Sequence, residues 1–249
     1  MQIRKAVILA GGYGTRLHPL TLATNKHLLP LYHKPVISHA IDKLVAAGIT
    51  RIMIVTGPEH LDDFARVLGS GEHWKPKGSN EHQIQITYGI QNKPGGIAQG
   101  LFIAKEYVEG EPCVLYLGDN YIEDDLEPYL KHFKGGATVF LKEVPDPERF
   151  GVATVETDGR VSAIEEKPKK PKSNLAVIGI YIYDEGVFDK MADQKPSKRG
   201  EYEITYVNNK YAKEKTLRAV TLKKQWFDVG TFDSLLDASE YIRKSKKKR

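Results

Sequence analysis

Short apolar runs alternate with helix-periodic segments through the first 140 residues, and four of the runs stop at glycine. "KAVILA" (Lys5–Ala10) and "RIMIVTG" are short apolar runs without the polar alternation of a half-exposed strand and read as strands buried on both faces. "IQITYG", "PCVLYLGDN" and "ATVFLKEV" read as further strands. Between them, "VISHAIDKLVAAG" places Val36, Ile37, Ala40, Ile41, Leu44 and Val45 at helical spacing, with Gly48 closing it as a C′ residue. "EHLDDFARVLG", "GIAQGLFIAKEYV" and "DLEPYLKHF" supply further helices. Strand, helix, strand, repeated, predicts an α/β fold: a Rossmann-like, mostly parallel open sheet covered by helices on both faces.

Near residue 150 the pattern changes. "VATVETDGRVSAIEE" reads as a hairpin on an Asp158-Gly159 turn, and "LAVIGIYIYD" and "LRAVTL" as strands. "EITYVNNKYAKE" is helical. "TFDSLLDASEYIRK" is an amphipathic closing helix whose Phe232, Leu235, Leu236, Ala238 and Tyr241 are expected in the core. We read one domain, 1–249, in two parts: about 1–140, and about 141–230 built as a small hairpin-containing lid subdomain. Residues 231–249 form the closing helix and a basic tail.

The formal net charge of +5 raises nucleic-acid binding. Lys244, Lys246, Lys247, Lys248 and Arg249 carry all of that excess, and a solvated, frayed terminus accounts for them. No aromatic-plus-basic motif supports a nucleic-acid surface. No stretch approaches the ~20 apolar residues that span a bilayer. The single Cys113 fits a reducing compartment, and a cytoplasmic location is expected.

The loop after the first strand carries the chemistry. "LAGGYGTRLHPLT" fails the P-loop spacing, because five positions beyond Gly11 or Gly12 stand Arg16 and Leu17. It fails the dinucleotide spacing, because Leu17 occupies the third glycine position. Small residues at a strand's carboxyl end still let main-chain N–H groups approach an anion. Arg16 and Lys26 stand beside it, where each is either a phosphate clamp or a solvated charge.

The two segments together, G-G-x-G-T-R-L followed by "KHLLP", resemble the signature of sugar nucleotidyltransferases. "GGIAQGL", "LGDN", "DPERFGVA", "IEEKP", "KSNLAVIGIYIYD", "KPSKRGEYEIT" and "WFDVGTF" extend the resemblance over nearly the whole chain, in the family's order. The resemblance is to short members, without the C-terminal extension of longer ones. It implies transfer of a nucleotidyl group from a nucleoside triphosphate, dTTP, to glucose 1-phosphate, with Mg²⁺ held by Asp119 and Asp228. Each acid taken alone is equally a turn or strand-end group. The resemblance further implies Arg16, Lys26, Asp119 and Asp228 as the catalytic set. Leu9, Gly11, Gly12, Gly14, Thr15, Arg16, Gln91, Gly96 and Gln99 would bind the nucleotide, and Lys26, Gly151, Glu166, Lys167, Val177 and Arg199 the sugar phosphate.

Glu165 and Glu166 cannot act as a glycosidase pair, since neighbours on a strand face opposite ways. Three positions depart from the family pattern and receive no role: His27 (Gln in relatives), Gly95 (Asp) and Tyr206 (Asp). His18 and His33 are expected at the surface. No side-chain nucleophile is required, since the sugar phosphate supplies it. A homo-oligomer, dimer or tetramer, is implied by the resemblance. Two alternatives stay open: uridylyl or cytidylyl transfer to a related sugar phosphate, and a non-catalytic sugar-nucleotide sensor.

Overall fold

The computed structural model describes residues 2–75 and 84–247; Lys248 and Arg249 of the basic end lie outside them. In chain order the first half runs β1 (Lys5–Leu9), α1 (Leu20–Ala23), β2 (Pro30–Leu31), β3 (Lys34–Pro35), α2 (Val36–Ala46), β4 (Arg51–Thr56), α3 (Leu61–Leu68), β5 (Gln85–Ile90), α4 (Ile97–Ile103), α5 (Lys105–Val108) and β6 (Cys113–Leu117). The second half runs β7 (Asn120–Ile122), α6 (Glu127–Lys131), β8 (Ala137–Glu143), β9 (Gly151–Val155), β10 (Val161–Glu166), β11 (Leu175–Tyr183), α7 (Ile204–Lys213), β12 (Leu217–Thr221), β13 (Trp226–Asp228) and α8 (Phe232–Lys247).

One nine-stranded sheet organises the chain. Its main path is β10-β9-β11-β6-β1-β4-β5, with β8 on β11 and β12 on β8. Strands β6, β1, β4 and β5 are parallel, as the alternating pattern predicts. Strand β11 runs antiparallel to β6, β8 and β9. The hairpin β9–β10 is therefore a wing of the main sheet, joined to the parallel strands edge to edge through β11. Its Gly159 has φ +80°, and Asp158 accepts from the Arg160 amide at 3.0 Å, which sets the turn.

Alternation along β1 shows how both faces are covered. Ala6 and Ile8 point into a cluster with α2, α3 and α6, while Val7 points into one with α4, α5 and α7. On α2 the face Ile37, Ala40, Ile41 and Leu44 is fully buried, each side chain larger than Ala contributing roughly 1.5–3 kcal/mol. Gly48 takes φ +93° after α2, as a C′ residue does.

A two-stranded ribbon, β7 against β13, stands apart from the sheet, and α8 packs on it. Helix α8 buries Ala238 and Ile242 with Leu31, Val36 and Val229, and Leu235 packs alongside. Phe232 and Leu236, expected in the core, are 46% and 60% exposed. The ribbon and the segment 31–36 cover one stripe of the helix, and Phe232 and Leu236 lie outside it. The helix runs on through Lys247, so Lys244, Lys246 and Lys247 of the expected frayed tail are its last turn.

His39 on α2 is buried, its Nε2 bonded to the Leu31 carbonyl at 3.1 Å. Burial and the nearby Lys34 charge push its pKa down to about 4, against weaker upward pulls from the Leu31 carbonyl and Asp42. The unfolded chain binds this proton below pH 6.5 and the folded chain only below about 4, so stability falls as pH drops through that window. The expected outcome is a urea midpoint that declines from pH 7 to pH 4, and His39→Gln flattens the decline by about 2–4 kcal/mol. Parallel urea titrations of both proteins across that range check it.

Candidate active site

The site begins where β1 ends. Ala10 is pinned: its N–H donates to Val55 at 2.8 Å, and its carbonyl accepts from Asn25 at 3.2 Å and Thr56 at 3.3 Å. The chain then turns with Gly12 at φ +94° and Gly14 at φ +59°, conformations that side chains resist. Thr21 Oγ1 donates to the Gly14 carbonyl at 2.8 Å, locking the loop. Among the described residues, the main-chain N–H groups of Gly12, Tyr13 and Gly14 have no hydrogen-bond acceptor within the chain, which is the condition of an anion-binding loop. One 3₁₀ turn, Thr15–Leu17, buries Leu17 and leaves Thr15 and Arg16 exposed. Leu9 packs against Gly100 of α4, where a β-carbon would meet it at 3.0 Å.

Gln91 follows β5 and reaches the same loop: a β-carbon on Gly11 would lie 2.9 Å from its Oε1. Gln91 Nε2 donates to Gln99 Oε1 at 2.8 Å, so the two amides form one unit. Gly96 has φ +102° and touches the Tyr202 main chain.

Asp119 leaves the carboxyl end of β6 through Gly118, whose N–H donates to the Leu9 carbonyl at 2.9 Å. Its carboxylate pairs with the Lys26 ammonium and accepts from Asn120 Nδ2 at 3.0 Å. Burial alone would raise this carboxyl; Lys26 and the His27 ring outweigh it and hold the pKa down at about 2. Asp228 ends β13, where it pairs with Asn120 across the ribbon, and the next amide, Val229, donates to the Asp119 carbonyl at 2.9 Å. Burial and the Asp119 charge push Asp228 up to about 6, against Lys26, Arg16 and Arg149. A β-carbon on Gly230 would lie 2.6 Å from Arg16 Nη2, so the glycine of "DVGT" makes room for that guanidinium beside Asp228.

These groups open into a cavity of about 220 Å³ that the β9–β10 wing closes from the other side. Of the expected sugar-phosphate residues, Gly151, Glu166, Lys167, Val177 and Arg199 line it together with Arg16, Asp119 and Asp228. Lys26 joins through Asp119. Glu166 Oε2 accepts from Thr205 Oγ1 at 2.5 Å, while Glu165 is exposed on the opposite face. Arg199 lies 3.0 Å from Glu201, 3.4 Å from Glu203 and 3.6 Å from Glu166. The expected nucleotide residues cluster around the glycine loop at the neighbouring carboxyl edge.

Some contributors were missed. Asn120 is buried, donates to Asp119, and accepts from Trp226 Nε1 at 2.7 Å and the Gly179 amide at 3.4 Å. It thereby holds the ribbon, β11 and Asp119 in one register. Arg149, Trp226, Thr205 and Gly230 also contribute. Each stands inside a motif already quoted, so adjacency to Asp119, Asp228, Gly151 and Arg199 was the available signal. His27, given no role, is buried with Nδ1 2.6 Å from Asn25 Oδ1. Burial and Lys26 push its pKa down to about 3, so the ring stays neutral.

The nucleotidyl transferase family profile matches residues 5–245, and the chain belongs to that family. It is 41% identical over 244 residues to the glucose-1-phosphate thymidylyltransferase of Mycolicibacterium smegmatis, covering 96% of this chain and 82% of that one. It is 42% identical to the enzyme of the same name from Xanthomonas campestris pv. campestris, covering 97% and 81%. A Bacillus anthracis crystal structure assigned to that activity, in complex with a sucrose, superposes at TM-score 0.88 with 46% identity over 96% and 95% of the two chains. A UDP-glucose pyrophosphorylase complexed with UDP-glucose superposes at 0.84 with 26% identity over 98% and 99%. Among the described residues, no helix is long and apolar enough to cross a membrane.

Gly230→Ala tests the seat of Arg16. The displaced atoms are the far end of a flexible side chain, so melting is expected to stay within about 1 kcal/mol of wild type. The guanidinium must leave, and a lost charge-assisted contact of ~1.5–3 kcal/mol corresponds to roughly 10–100-fold weaker nucleoside triphosphate binding. Calorimetric titration beside a melting curve measures both.

Proposed function

We propose that the protein transfers the thymidylyl group of dTTP to glucose 1-phosphate, forming dTDP-glucose and pyrophosphate. The observation that carries this reading is convergence. The Lys26–Asp119 pair, Asp228 and Arg16 meet the Glu166–Lys167–Arg199 wing in one cavity, in a chain about 40% identical to relatives that bear that activity's name.

A phosphate oxygen of the sugar phosphate attacks the α-phosphorus; the new P–O bond forms as the α–β bridging bond breaks, and pyrophosphate leaves. No proton transfer is needed, so the protein's task is positioning and charge neutralisation. The glycine loop and Arg16 hold the triphosphate and the departing pyrophosphate. Lys26, fixed by Asp119, lowers the repulsion between the two phosphates as they approach. Gln91 offers donor and acceptor to the pyrimidine edge, with the Gly96 main chain beside it and Gln99 holding the Gln91 amide. Glu166 accepts from sugar hydroxyls, the Gly151 and Val177 region shapes the floor, and Lys167 and Arg199 hold the sugar's phosphate.

Four basic and five acidic side chains line the cavity, so it carries no surplus positive charge for two anionic substrates. Burial and the neighbouring Asp119 charge push Asp228 up to about 6, even with Lys26, Arg16 and Arg149 nearby. No cluster of three acidic, His or Cys ligands exists among the described residues. Two carboxylates completed by substrate phosphates suit Mg²⁺, which keeps waters and needs few protein ligands. Asp119 and Asp228 would hold it, and when bound it supplies neutralisation of the charge developing at the α-phosphate.

Uridylyl transfer is the rival within the class, since uracil lacks one methyl and a pocket resolves one methyl by ~1–3 kcal/mol. Pyrophosphate release is measured with dTTP, UTP, CTP and ATP, each with glucose 1-phosphate and Mg²⁺. dTTP is expected to give the highest kcat/KM, with UTP second by roughly 10–200-fold. Asp119→Asn and Asp228→Asn should each lower kcat by roughly 10²–10³-fold, the scale of losing an electrostatic catalytic group. Turnover with UTP alone assigns the rival. Substrate binding without pyrophosphate release from any pair assigns the sensor reading.

A further inference from the structure

Between the base-side loop and the sugar-side loop lies a main-chain contact that neither half-site needs for its own chemistry. The Tyr202 N–H donates to the Gly95 carbonyl at 2.7 Å, and the Tyr202 carbonyl accepts from the Ala98 N–H at 3.0 Å. Gly96 sits between these bonds at φ +102°, and a β-carbon there would lie 2.6 Å from the Tyr202 carbonyl oxygen and 2.8 Å from its nitrogen. The approach is closed to any other residue. Side chains alternate around the bridge. Glu201 and Glu203 line the catalytic cavity, while Tyr202 lines a second cavity with Gln99, Phe102 and Met191.

Each end of the bridge is tied into one substrate's half-site. On one side, a β-carbon on Gly95 would lie 2.4 Å from Gln99 Oε1, and Gln99 in turn accepts from Gln91. On the other, residues 197–203 are knotted into one unit. The Ser197 N–H donates to the Glu201 carbonyl at 2.9 Å, and the Gly200 N–H to the Ser197 carbonyl at 2.8 Å. Ser197 Oγ donates to Glu203 at 2.9 Å and accepts from the Arg199 N–H at 3.2 Å. A displacement of Tyr202 must therefore carry Arg199 with it.

We infer that the Tyr202 main chain is a positioning element that couples the two half-sites: a nucleotide seated on Gln91 and the Gly95–Gly96 loop fixes residues 197–203, and Arg199 then presents a formed seat to the sugar phosphate. The inference rests on the dTTP and glucose 1-phosphate reading above. Such coupling is reciprocal in binding free energy, so the sugar phosphate must tighten the nucleotide by the same factor.

The test is calorimetric titration of glucose 1-phosphate, with Mg²⁺, in the absence and presence of saturating α,β-methylene-dTTP, which cannot turn over. Wild type is expected to bind glucose 1-phosphate at least tenfold more tightly with the analogue present, and the reverse titration should give the same factor. Tyr202→Pro removes the donor, and Gly96→Ala pushes the bridge apart. In each, the factor is expected to fall below threefold; for Tyr202→Pro, which leaves the nucleotide-side glycines untouched, affinity for glucose 1-phosphate alone stays within threefold of wild type. In turnover Tyr202→Pro should show a raised KM for glucose 1-phosphate at saturating dTTP with a much smaller change in kcat. Tyr202→Phe, which keeps the main chain, should retain the full factor.

A second measurement needs no variant. Amide hydrogen exchange of wild type with the analogue alone should slow across residues 197–203. A wild-type factor near one, a folded Tyr202→Pro or Gly96→Ala that keeps the full factor, or unchanged exchange across 197–203 would each overturn the inference. Failure of the underlying reading looks different: wild type then neither binds the analogue nor releases pyrophosphate from dTTP, and the coupling falls with it.

Discussion

A mostly buried ammonium–carboxylate pair, Lys26 with Asp119, each side chain 14% exposed, sets the conditions for everything else in the site. Asp119 leaves the central strand β6, and Lys26 leaves a 3₁₀ turn whose cap, Asn25, is itself bonded to the end of β1. The pair thus ties the glycine loop to the sheet's carboxyl edge. Burying one charge without the other would be costly, so each holds its partner in place. Asp228 then arrives as a second carboxylate with no ammonium of its own. Burial first and the Asp119 charge second raise its pKa, against the opposing pull of Lys26, Arg16 and Arg149.

The mixed sheet explains how two halves of the chain share one site. A purely parallel sheet would have placed the sugar-side residues behind another crossover helix. Strand β11 instead runs antiparallel to β6, and the β9–β10 hairpin attaches beyond it. Val177 and Gly151 thereby face each other in register and close on the cavity that Asp119 borders. Glycines appear where this geometry leaves no space. A β-carbon at Gly179 would lie 2.6 Å from the Leu117 side chain, one at Gly230 would strike Arg16, and one at Gly96 would strike Tyr202. The site is assembled by close approaches of main chain that larger residues would prevent.

Much was legible in the linear chain because it depends on local rules. Buried strands read as unbroken apolar runs, α2 as a 3.6-residue stripe, and the glycine loop as a donor-rich turn after a strand. Resemblance in motif order then supplied residues no spacing rule could reach, such as Glu166 and Arg199. Less was legible where partners are remote. The ribbon β7–β13 joins residues 106 apart through the Asn120–Trp226 bond, and three-residue strands leave too little periodicity to read. Helix α8 shows the same limit: its apolar positions promised a core helix, but the ribbon and the segment 31–36 cover only one stripe, and Phe232 and Leu236 stay in solvent.

By itself, then, the order of residues determined the layered α/β architecture and the chemistry on offer: a loop of main-chain donors, two basic side chains beside it, and acids at strand ends. These follow from periodicity, turn preference and side-chain type, all local properties. The tertiary structure alone decided that Asp119 and Asp228 are neighbours, that Arg16 rests against Gly230, that the hairpin continues the main sheet, and that the Tyr202 main chain bonds to Gly95 and Ala98. Those facts depend on strand order and on contacts between distant segments, and only the packed chain brings such segments within hydrogen-bond and Coulomb range.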